Sequence, residues 1–221
     1  MRPRAILFDF DGVLIESEAA GNRQIADWLS ANGHPTTAAD SMANFMGLSG
    51  TAFTDAIERW IGEPLPAGFA EARAVEDARA LSEGVGAVAG AVDFVRSLPA
   101  DLPRAIVSSS STEWIAAHLA HIGLSDAFGE HLYSGREHVE HGKPAPDLYL
   151  YAAARLGVAI EECAIVEDSF VGVTGATKTG AFVVGLCAGT HCAAGHGERL
   201  LALGVDAVAA DFDQLGKLLA R

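Results

Sequence analysis

Two carboxylates follow the first apolar segment of the chain. Residues 4–9 form a short hydrophobic run that ends in Asp9, and Asp11 and Gly12 come directly afterwards. Side chains two positions apart in an extended segment point the same way, so we expect Asp9 and Asp11 to face one space. Two close acids either raise the pKa of one of them or bind a cation, and both outcomes suit catalysis. A merely solvated strand end is the simpler alternative.

A second acidic pair, Glu167 and Asp168, closes the apolar run at 163–166. If both runs are parallel strands, their carboxyl ends lie at one edge of a sheet, and three or four carboxyl groups converge there. Oxygen ligands of this kind favour a hard cation, and Mg²⁺ fits them better than Zn²⁺. The sequence therefore predicts a magnesium site at this edge.

Hydroxyl groups and one lysine follow two further strand patterns. The run 108–112 (Ser-Ser-Ser-Ser-Thr) lies between a predicted strand at 104–108 and a predicted helix, where hydroxyl and backbone N–H groups can bind an anion. Ser111 or Thr112 can instead serve only as a helix cap. Lys143 lies in a loop stiffened by Pro144 and Pro146, although loop lysines are usually just solvated.

The pattern of elements indicates an α/β fold. Four amphipathic stretches fill residues 17–83, and from Gly86 onward helical and strand patterns alternate, beginning with a helix predicted over 86–97. Such alternation favours a doubly wound, mainly parallel, Rossmann-like sheet covered by helices on both faces. We expect a catalytic core from residues 1–15 and 86–221, with an all-helical cap domain over 16–85 that hangs above the strand ends.

Composition excludes several classes of partner. The 221 residues carry 15 Lys plus Arg against 29 Asp plus Glu, which gives a formal net charge of −14. So acidic a chain should be repelled by nucleic acids and by anionic membranes. Three cysteines do not suggest a disulfide framework, and the predicted location is the cytoplasm.

Four motifs together carry a resemblance to a known family. The chain resembles the haloacid dehalogenase-type phosphatases, in the subgroup of β-phosphoglucomutase and the small sugar-phosphate phosphatases. The motifs are Asp-Phe-Asp-Gly-Val-Leu-Ile-Glu-Ser-Glu (9–18), Val-Ser-Ser-Ser (107–110), Gly-Lys-Pro-Ala-Pro-Asp (142–147) and Val-Glu-Asp-Ser-Phe-Val-Gly-Val (166–173).

The resemblance implies a role for each matching residue. Asp9 would be the nucleophile and Asp11 the general acid and base, while Ser108 and Lys143 would hold the transferring phosphoryl group, with the backbone N–H of Ser109. The expected activity is Mg²⁺-dependent hydrolysis of a small phosphorylated metabolite, such as a sugar phosphate, through a phosphoaspartate.

The same resemblance implies the ligands of the metal. Mg²⁺ would be bound by the Asp9 carboxylate, the Asp11 main-chain carbonyl and Asp168, with Glu167 as a neighbour or a further ligand.

Other functions stay open at this point. A β-phosphoglucomutase-type mutase would transfer the phosphoryl group to a sugar, but Gly21 and Gly50 stand where such mutases carry a cap histidine and a cap arginine. Dehalogenation is disfavoured, because the departure of a halide does not require a proton donor such as Asp11. A non-catalytic phospho-acceptor or metabolite-binding protein is the alternative of another class, and metal-stimulated phosphate release would distinguish it.

The sequence offers two further groups of candidate residues. One group lies in the cap, and the other lies in a loop that contains both cysteine and histidine. Glu18, Asn22, Met46 and Ser49 are the candidate cap residues for substrate binding. Cys187, His191, Cys192 and His196 do not have the spacing of a familiar zinc motif, so we interpret this loop as a border of the substrate mouth or as plain loop. The tryptophans, Trp114 among them, are interpreted as packing residues.

Overall fold

The computed structural model describes residues 2–46, 48 and 50–220, which form six strands and ten α-helices. No helix in this part of the chain is both long and apolar enough to cross a bilayer. The strands are β1 (Ala5–Phe8), β2 (Arg104–Ser108), β3 (Leu132–Ser134), β4 (Cys163–Glu167), β5 (Phe182–Leu186) and β6 (Ala207–Ala209). The helices are α1 (Ser17–Ala31), α2 (Ala38–Phe45), α3 (Gly50–Ile61), α4 (Phe69–Glu83), α5 (Ala91–Ser97), α6 (Thr112–His121), α7 (Asp147–Leu156), α8 (Phe170–Ala176), α9 (His196–Ala202) and α10 (Phe212–Leu219).

The strands form one parallel sheet in the order β3-β2-β1-β4-β5-β6. Alternate residues of β1 pack on opposite faces, Ile6 and Phe8 in one hydrophobic cluster and Ala5 and Leu7 in the other. Both faces are covered by helices, which is why the strands are almost entirely apolar. The predicted α/β, doubly wound fold is confirmed.

Helices α1 to α4 lie between β1 and α5 in the chain and are called the helical insertion below. Their amphipathic faces meet in a hydrophobic cluster of their own, in which Phe69 packs edge-on against Trp28 with ring centroids 5.1 Å apart. The predicted domain limits, 1–15 with 86–221 and 16–85, stay a prediction.

The predicted helix over 86–97 begins later than expected. The structure has α5 at Ala91–Ser97, preceded by Gly90 at a φ of 84°. The residues before it are extended instead, because Val88 donates its N–H to the Leu14 carbonyl and Ala87 bridges to Ile15. Glycine at this left-handed position stops the helix from extending backwards.

Strand register brings the chemical residues to one level of the sheet. Phe8 is paired with Ile106 of β2 and with Val166 of β4, so the residues that follow leave the sheet at the same edge. Asp9 continues the chain after β1, and Ser108 and Glu167 are the last residues of β2 and β4. This edge is where ligands of open α/β sheets bind.

Candidate active site

Asp9, Lys143 and Glu167 form a buried cluster of ion pairs at this edge. Lys143 Nζ donates to Asp9 Oδ1 at 2.7 Å and also pairs with Glu167. The side chain of Lys143 is only 3% exposed, and Tyr149 donates its hydroxyl to Glu167 Oε1 at 2.7 Å. Three segments far apart in sequence therefore meet as predicted, and the lysine is held in place and not solvated.

Negative charge exceeds positive charge in this buried cluster. Burial, and then the charge of Glu167, raise the pKa of Asp9 and that of Asp168 well above their usual value, although Lys143 acts in the opposite direction. Burial disfavours the Lys143 ammonium, but the carboxylates of Asp9 and Glu167 outweigh it and raise the pKa of the lysine. One lysine is thus surrounded by three acids, an arrangement that favours a further cation.

Asp168 has the features of a metal ligand. Both of its carboxylate oxygens are buried and have no hydrogen-bond partner, although His191 Nε2 lies 2.7 Å from Oδ2 without the geometry of a hydrogen bond. Asp9, Glu167 and Asp168 offer carboxylate oxygens within 4.8 Å of one another. Such oxygen-only donors fit a hard divalent cation, so the residues present suit the predicted Mg²⁺.

Asp11 is held by four donors. Its Oδ1 accepts hydrogen bonds from Ser17 Oγ at 2.7 Å and from the indole N–H of Trp114 at 3.0 Å. Its Oδ2 accepts from Ser108 Oγ at 3.1 Å and from Ser110 Oγ at 2.7 Å. These contacts fix the position of the carboxylate beside the cavity.

Asp9 and Asp11 have partners on different sides of the sheet. Asp9 contacts Lys143, just before α7, whereas the donors to Asp11 include Trp114 on α6. We expected one shared direction for the two side chains; β1 ends at Phe8, and the turn of the chain begins at Gly12, after both acids. Both carboxylates nevertheless line one cavity, of about 990 Å³.

The helical insertion covers this cavity. The core wall includes Ser108, Ser109 and Lys143, the residues predicted to hold a phosphoryl group. From the insertion, Glu18, Asn22 and Met46 line it, together with apolar side chains. Ser49 lies outside the described residues. The roles predicted for these residues remain predictions.

Glu18 and Asn22 differ in whether their polar atoms are available to a substrate. Burial, followed by the charges of Asp168 and Asp11, raises the pKa of Glu18 from 4.5 to about 7. Asn22 is engaged on both sides of its amide, because Oδ1 accepts from Ser41 Oγ at 2.8 Å and Nδ2 donates to Glu18. Asn22 therefore positions Glu18 and leaves Glu18 as the group that faces the cavity.

Sequence reasoning missed four residues around this site. Trp114 was expected to pack, yet its N–H reaches Asp11, and an apolar helical position gives no signal of this. Ser110 could have been found from the serine run, and Tyr149 follows the lysine loop at the start of α7. His191 was assigned to the substrate mouth or to plain loop, but it is buried beside Asp168.

Comparison with known proteins agrees with this geometry. Residues 3–180 match the family model of the haloacid dehalogenase-like hydrolases. Hexitol phosphatase A of Escherichia coli (strain K12) is 31% identical over 195 residues, which cover 83% of each chain. The predicted enzyme class, a phosphoric monoester hydrolase, is confirmed by the family match and by such phosphatase relatives.

Two solved structures have the same fold over nearly their whole length. A haloacid dehalogenase-like protein from Agrobacterium tumefaciens is 29% identical with a TM-score of 0.88, covering 98% of this chain and 97% of that one. A haloacid dehalogenase family hydrolase from Deinococcus radiodurans, with bound phosphate and sodium, is 30% identical with a TM-score of 0.83, covering 99% and 96%. The chain belongs to the haloacid dehalogenase-like hydrolases.

Proposed function

We propose that this protein is a Mg²⁺-dependent phosphatase that hydrolyses a small phosphomonoester through a phosphoaspartate on Asp9. The observation that carries the proposal is the buried cluster at the sheet edge, where Lys143 Nζ lies 2.7 Å from Asp9 Oδ1 and three carboxylates lie within reach of one cation. An acidic protein needs such a local positive site to bind a phosphate group.

In the first step, a carboxylate oxygen of Asp9 attacks phosphorus, and the bond between phosphorus and the leaving oxygen breaks. Lys143 supports this step because its ammonium favours the ionised, nucleophilic form of Asp9. The hydroxyl of Ser108 and the backbone N–H of Ser109 would bind the equatorial phosphoryl oxygens. Positioning and charge stabilisation should supply most of the catalysis.

Asp11 moves the protons. In its protonated form it donates to the leaving oxygen, and as a carboxylate it then takes a proton from the water that hydrolyses the phosphoaspartate. To reach the leaving group, Asp11 must exchange some of its contacts with Ser17, Ser108, Ser110 and Trp114. All four donors flank the cavity, so they can receive the carboxylate back after each half-reaction.

The cation would be held by the carboxylates of Asp9 and Asp168, with Glu167 beside them and the main-chain carbonyl of Asp11 as a further ligand. When bound, Mg²⁺ supplies positive charge that offsets the charge of the phosphoryl group and of the buried acids. The unpartnered oxygens of Asp168 support this assignment.

The cavity favours a hydroxylated substrate of modest size. Its volume is about 990 Å³, and the wall formed by the insertion combines Glu18 with the rings of Phe45, Phe53 and Phe69. Carboxylates accept hydrogen bonds from sugar or polyol hydroxyl groups. A polyol phosphate or sugar phosphate therefore fits, as the name of the hexitol phosphatase relative also suggests.

A mutase is the second candidate, and the wall of the insertion argues against it. Gly21 and Gly50 both line the cavity, and a Cβ added at either would meet open space. A mutase of the resembled kind has a histidine and an arginine at these positions. Without those groups, water has freer access to the phosphoaspartate, so hydrolysis is favoured over transfer.

Phosphate release from a panel of sugar, polyol and sugar-acid phosphates tests the proposal. We expect turnover that requires Mg²⁺ and is abolished by EDTA, with no interconversion of glucose 1-phosphate and glucose 6-phosphate. The Asp9→Asn variant should lose at least about 10⁴-fold in kcat. Asp126→Asn, at an exposed position, is the matched control and should keep full activity.

Two results would overturn the proposal. Phosphate release by Asp9→Asn at a rate near that of the unmodified protein would show that Asp9 is not the nucleophile. Isomerisation of glucose 1-phosphate at a rate comparable with hydrolysis would assign the protein to the mutases instead.

A further inference from the structure

A second group of metal-ligating side chains lies in the loop between β5 and α9. His191, Cys192 and His196 each offer a ligand atom, and these atoms lie within 4.8 Å of one another. Cys192 Sγ is 3.3 Å from His191 Nε2, and the Cys187 thiol neighbours that of Cys192. None of these four side chains has a part in the proposed reaction, and we call them the loop cluster.

The distances in the loop cluster suit a tetrahedral metal site. Zinc binds thiolate sulfur at about 2.3 Å and imidazole nitrogen at about 2.0–2.1 Å, which places two such ligands roughly 3.5 Å apart. The separation of 3.3 Å between Cys192 and His191 is close to that value. Small side-chain movements would bring the third ligand to a common centre. The linear spacing did not reveal this, because the turns of the loop bring the residues together.

Hydrogen bonding prepares one histidine of the cluster as a ligand. His196 Nε2 lies 2.7 Å from the main-chain carbonyl of Asp168, and a carbonyl only accepts, so Nε2 carries the hydrogen. The lone pair of the neutral ring is then on Nδ1. Metal-bound histidines almost always donate their other N–H group to a carbonyl or carboxylate in this way.

His191 directs one ring nitrogen into the loop cluster. The side chain is buried, and its Nε2 lies 3.3 Å from Cys192 Sγ and 2.7 Å from Asp168 Oδ2. With the ring hydrogen on Nδ1, Nε2 carries the lone pair that a metal ion binds. The Cys192 thiol and the two imidazoles form a donor set that differs in kind from the oxygen-only set of Asp9, Glu167 and Asp168.

We propose that the loop cluster binds one thiophilic divalent cation, such as Zn²⁺, through His191, Cys192 and His196, with Cys187 beside Cys192. Thiolate and imidazole select Zn²⁺ over Mg²⁺, whereas carboxylates select Mg²⁺. The protein would thus have two neighbouring sites that discriminate between metals by ligand chemistry. His191 and His196 both contact Asp168, so the second site adjoins the catalytic centre.

Cobalt absorption provides the test, because it does not depend on turnover and its failure would leave the proposed phosphatase activity untouched. Co²⁺ is titrated into the reduced, metal-free protein in the presence of excess Mg²⁺. We expect thiolate-to-cobalt charge-transfer bands and the strong visible bands of a tetrahedral site, saturating at one Co²⁺ per chain and displaced by Zn²⁺.

Variants separate the loop cluster from the other thiol and from the catalytic acids. Cys192→Ser and His196→Gln should each weaken Co²⁺ binding by more than about tenfold. Cys163→Ala removes a buried thiol on β4 and should leave the spectrum unchanged, as should Asp9→Asn. Circular dichroism of each variant confirms that the fold is retained.

Three outcomes would overturn the assignment. They are a wild-type spectrum without charge-transfer bands, an unchanged spectrum in folded Cys192→Ser, and loss of the bands in Asp9→Asn, which would place the cobalt at the catalytic acids.

Discussion

The two walls of the cavity differ in how their polar groups are held. On the core wall, Lys143 is paired with Asp9 and Glu167, and Tyr149 donates a hydrogen bond to Glu167. On the wall of the helical insertion, apolar side chains lie beside Glu18, which accepts a hydrogen bond from Asn22, and beside charged residues of α4 such as Arg73.

This difference assigns the chemical steps to the core wall and the choice of substrate to the wall of the insertion. The groups on the core wall follow adjacent strands, whose register fixes them within one network, so a small displacement of one would affect all of them. The insertion contributes the shape of the far wall and polar side chains that lie outside this network. Changes on the core wall should therefore alter kcat strongly, and changes on the insertion wall should alter KM, pH dependence and substrate preference.

Among the variants that compare the two walls, the largest effect is expected for Lys143→Met, which keeps the length of the side chain and removes its charge. Asp9 and Glu167 would then be buried without a partner, so kcat should fall by about 10²–10³. The free energy of unfolding should fall by about 3–5 kcal/mol without Mg²⁺. Steady-state kinetics and urea denaturation measure the two effects.

The exposed residue Lys217 provides the control for this variant. Lys217→Met should match the unmodified protein in both measurements. A Lys143→Met protein within tenfold of normal kcat would show that the core wall does not depend on its lysine.

A smaller effect is expected for Trp114→Phe. This change removes the N–H donor to Asp11 Oδ1 and leaves three other donors in place, so kcat should fall by about tenfold. Steady-state kinetics measure this effect.

Trp28→Phe tests whether the loss of aromatic volume at any tryptophan would lower kcat by the same amount. Trp28 packs against Phe69 in the helical insertion and does not contact Asp11. Equal effects of the two tryptophan variants would argue that Trp114 only packs, as the sequence first suggested.

The smallest effect is expected on the insertion wall, at Glu18. Its pKa is raised to about 7 in the fold, so the fold favours the protonated form. The contribution of protonated Glu18 to the free energy of unfolding is complete below pH 4.5 and is lost as pH rises towards 7. Glu18→Gln, which resembles the protonated form, should therefore be more stable than the unmodified protein at pH 8, by on the order of 1–2 kcal/mol.

Denaturation in EDTA at pH 4.5 and pH 8 measures this difference, which should vanish at the lower pH. Glu130→Gln, at an exposed position, should show no such dependence. A Glu18→Gln protein that is less stable at pH 8 would contradict the raised pKa.

Residues at strand ends could be predicted because a simple rule places them. Asp9, Ser108 and Glu167 each follow an apolar run, and parallel strands bring such positions to one edge. Lys143 was identified from its proline-bracketed loop. The family resemblance then assigned roles that spacing alone could not.

The rest depends on tertiary contacts that leave no local pattern. Trp114 reaches Asp11 only because α6 follows β2 directly, and its apolar helical position favours packing equally well. His191 is buried by the path of an irregular loop, which no periodicity describes. The first turn expected for α5 is lost because Val88 pairs with Leu14.

Trapping the covalent intermediate tests the central claim most directly. The protein is mixed with a phosphomonoester substrate and Mg²⁺, quenched in acid during turnover, and treated with borohydride, which reduces an aspartyl phosphate to homoserine. Mass spectrometry of the peptide containing Asp9 should show homoserine at position 9, and only when substrate was present. An unmodified Asp9 in a protein that is turning over, or a phosphoryl group found on another residue, would contradict the account.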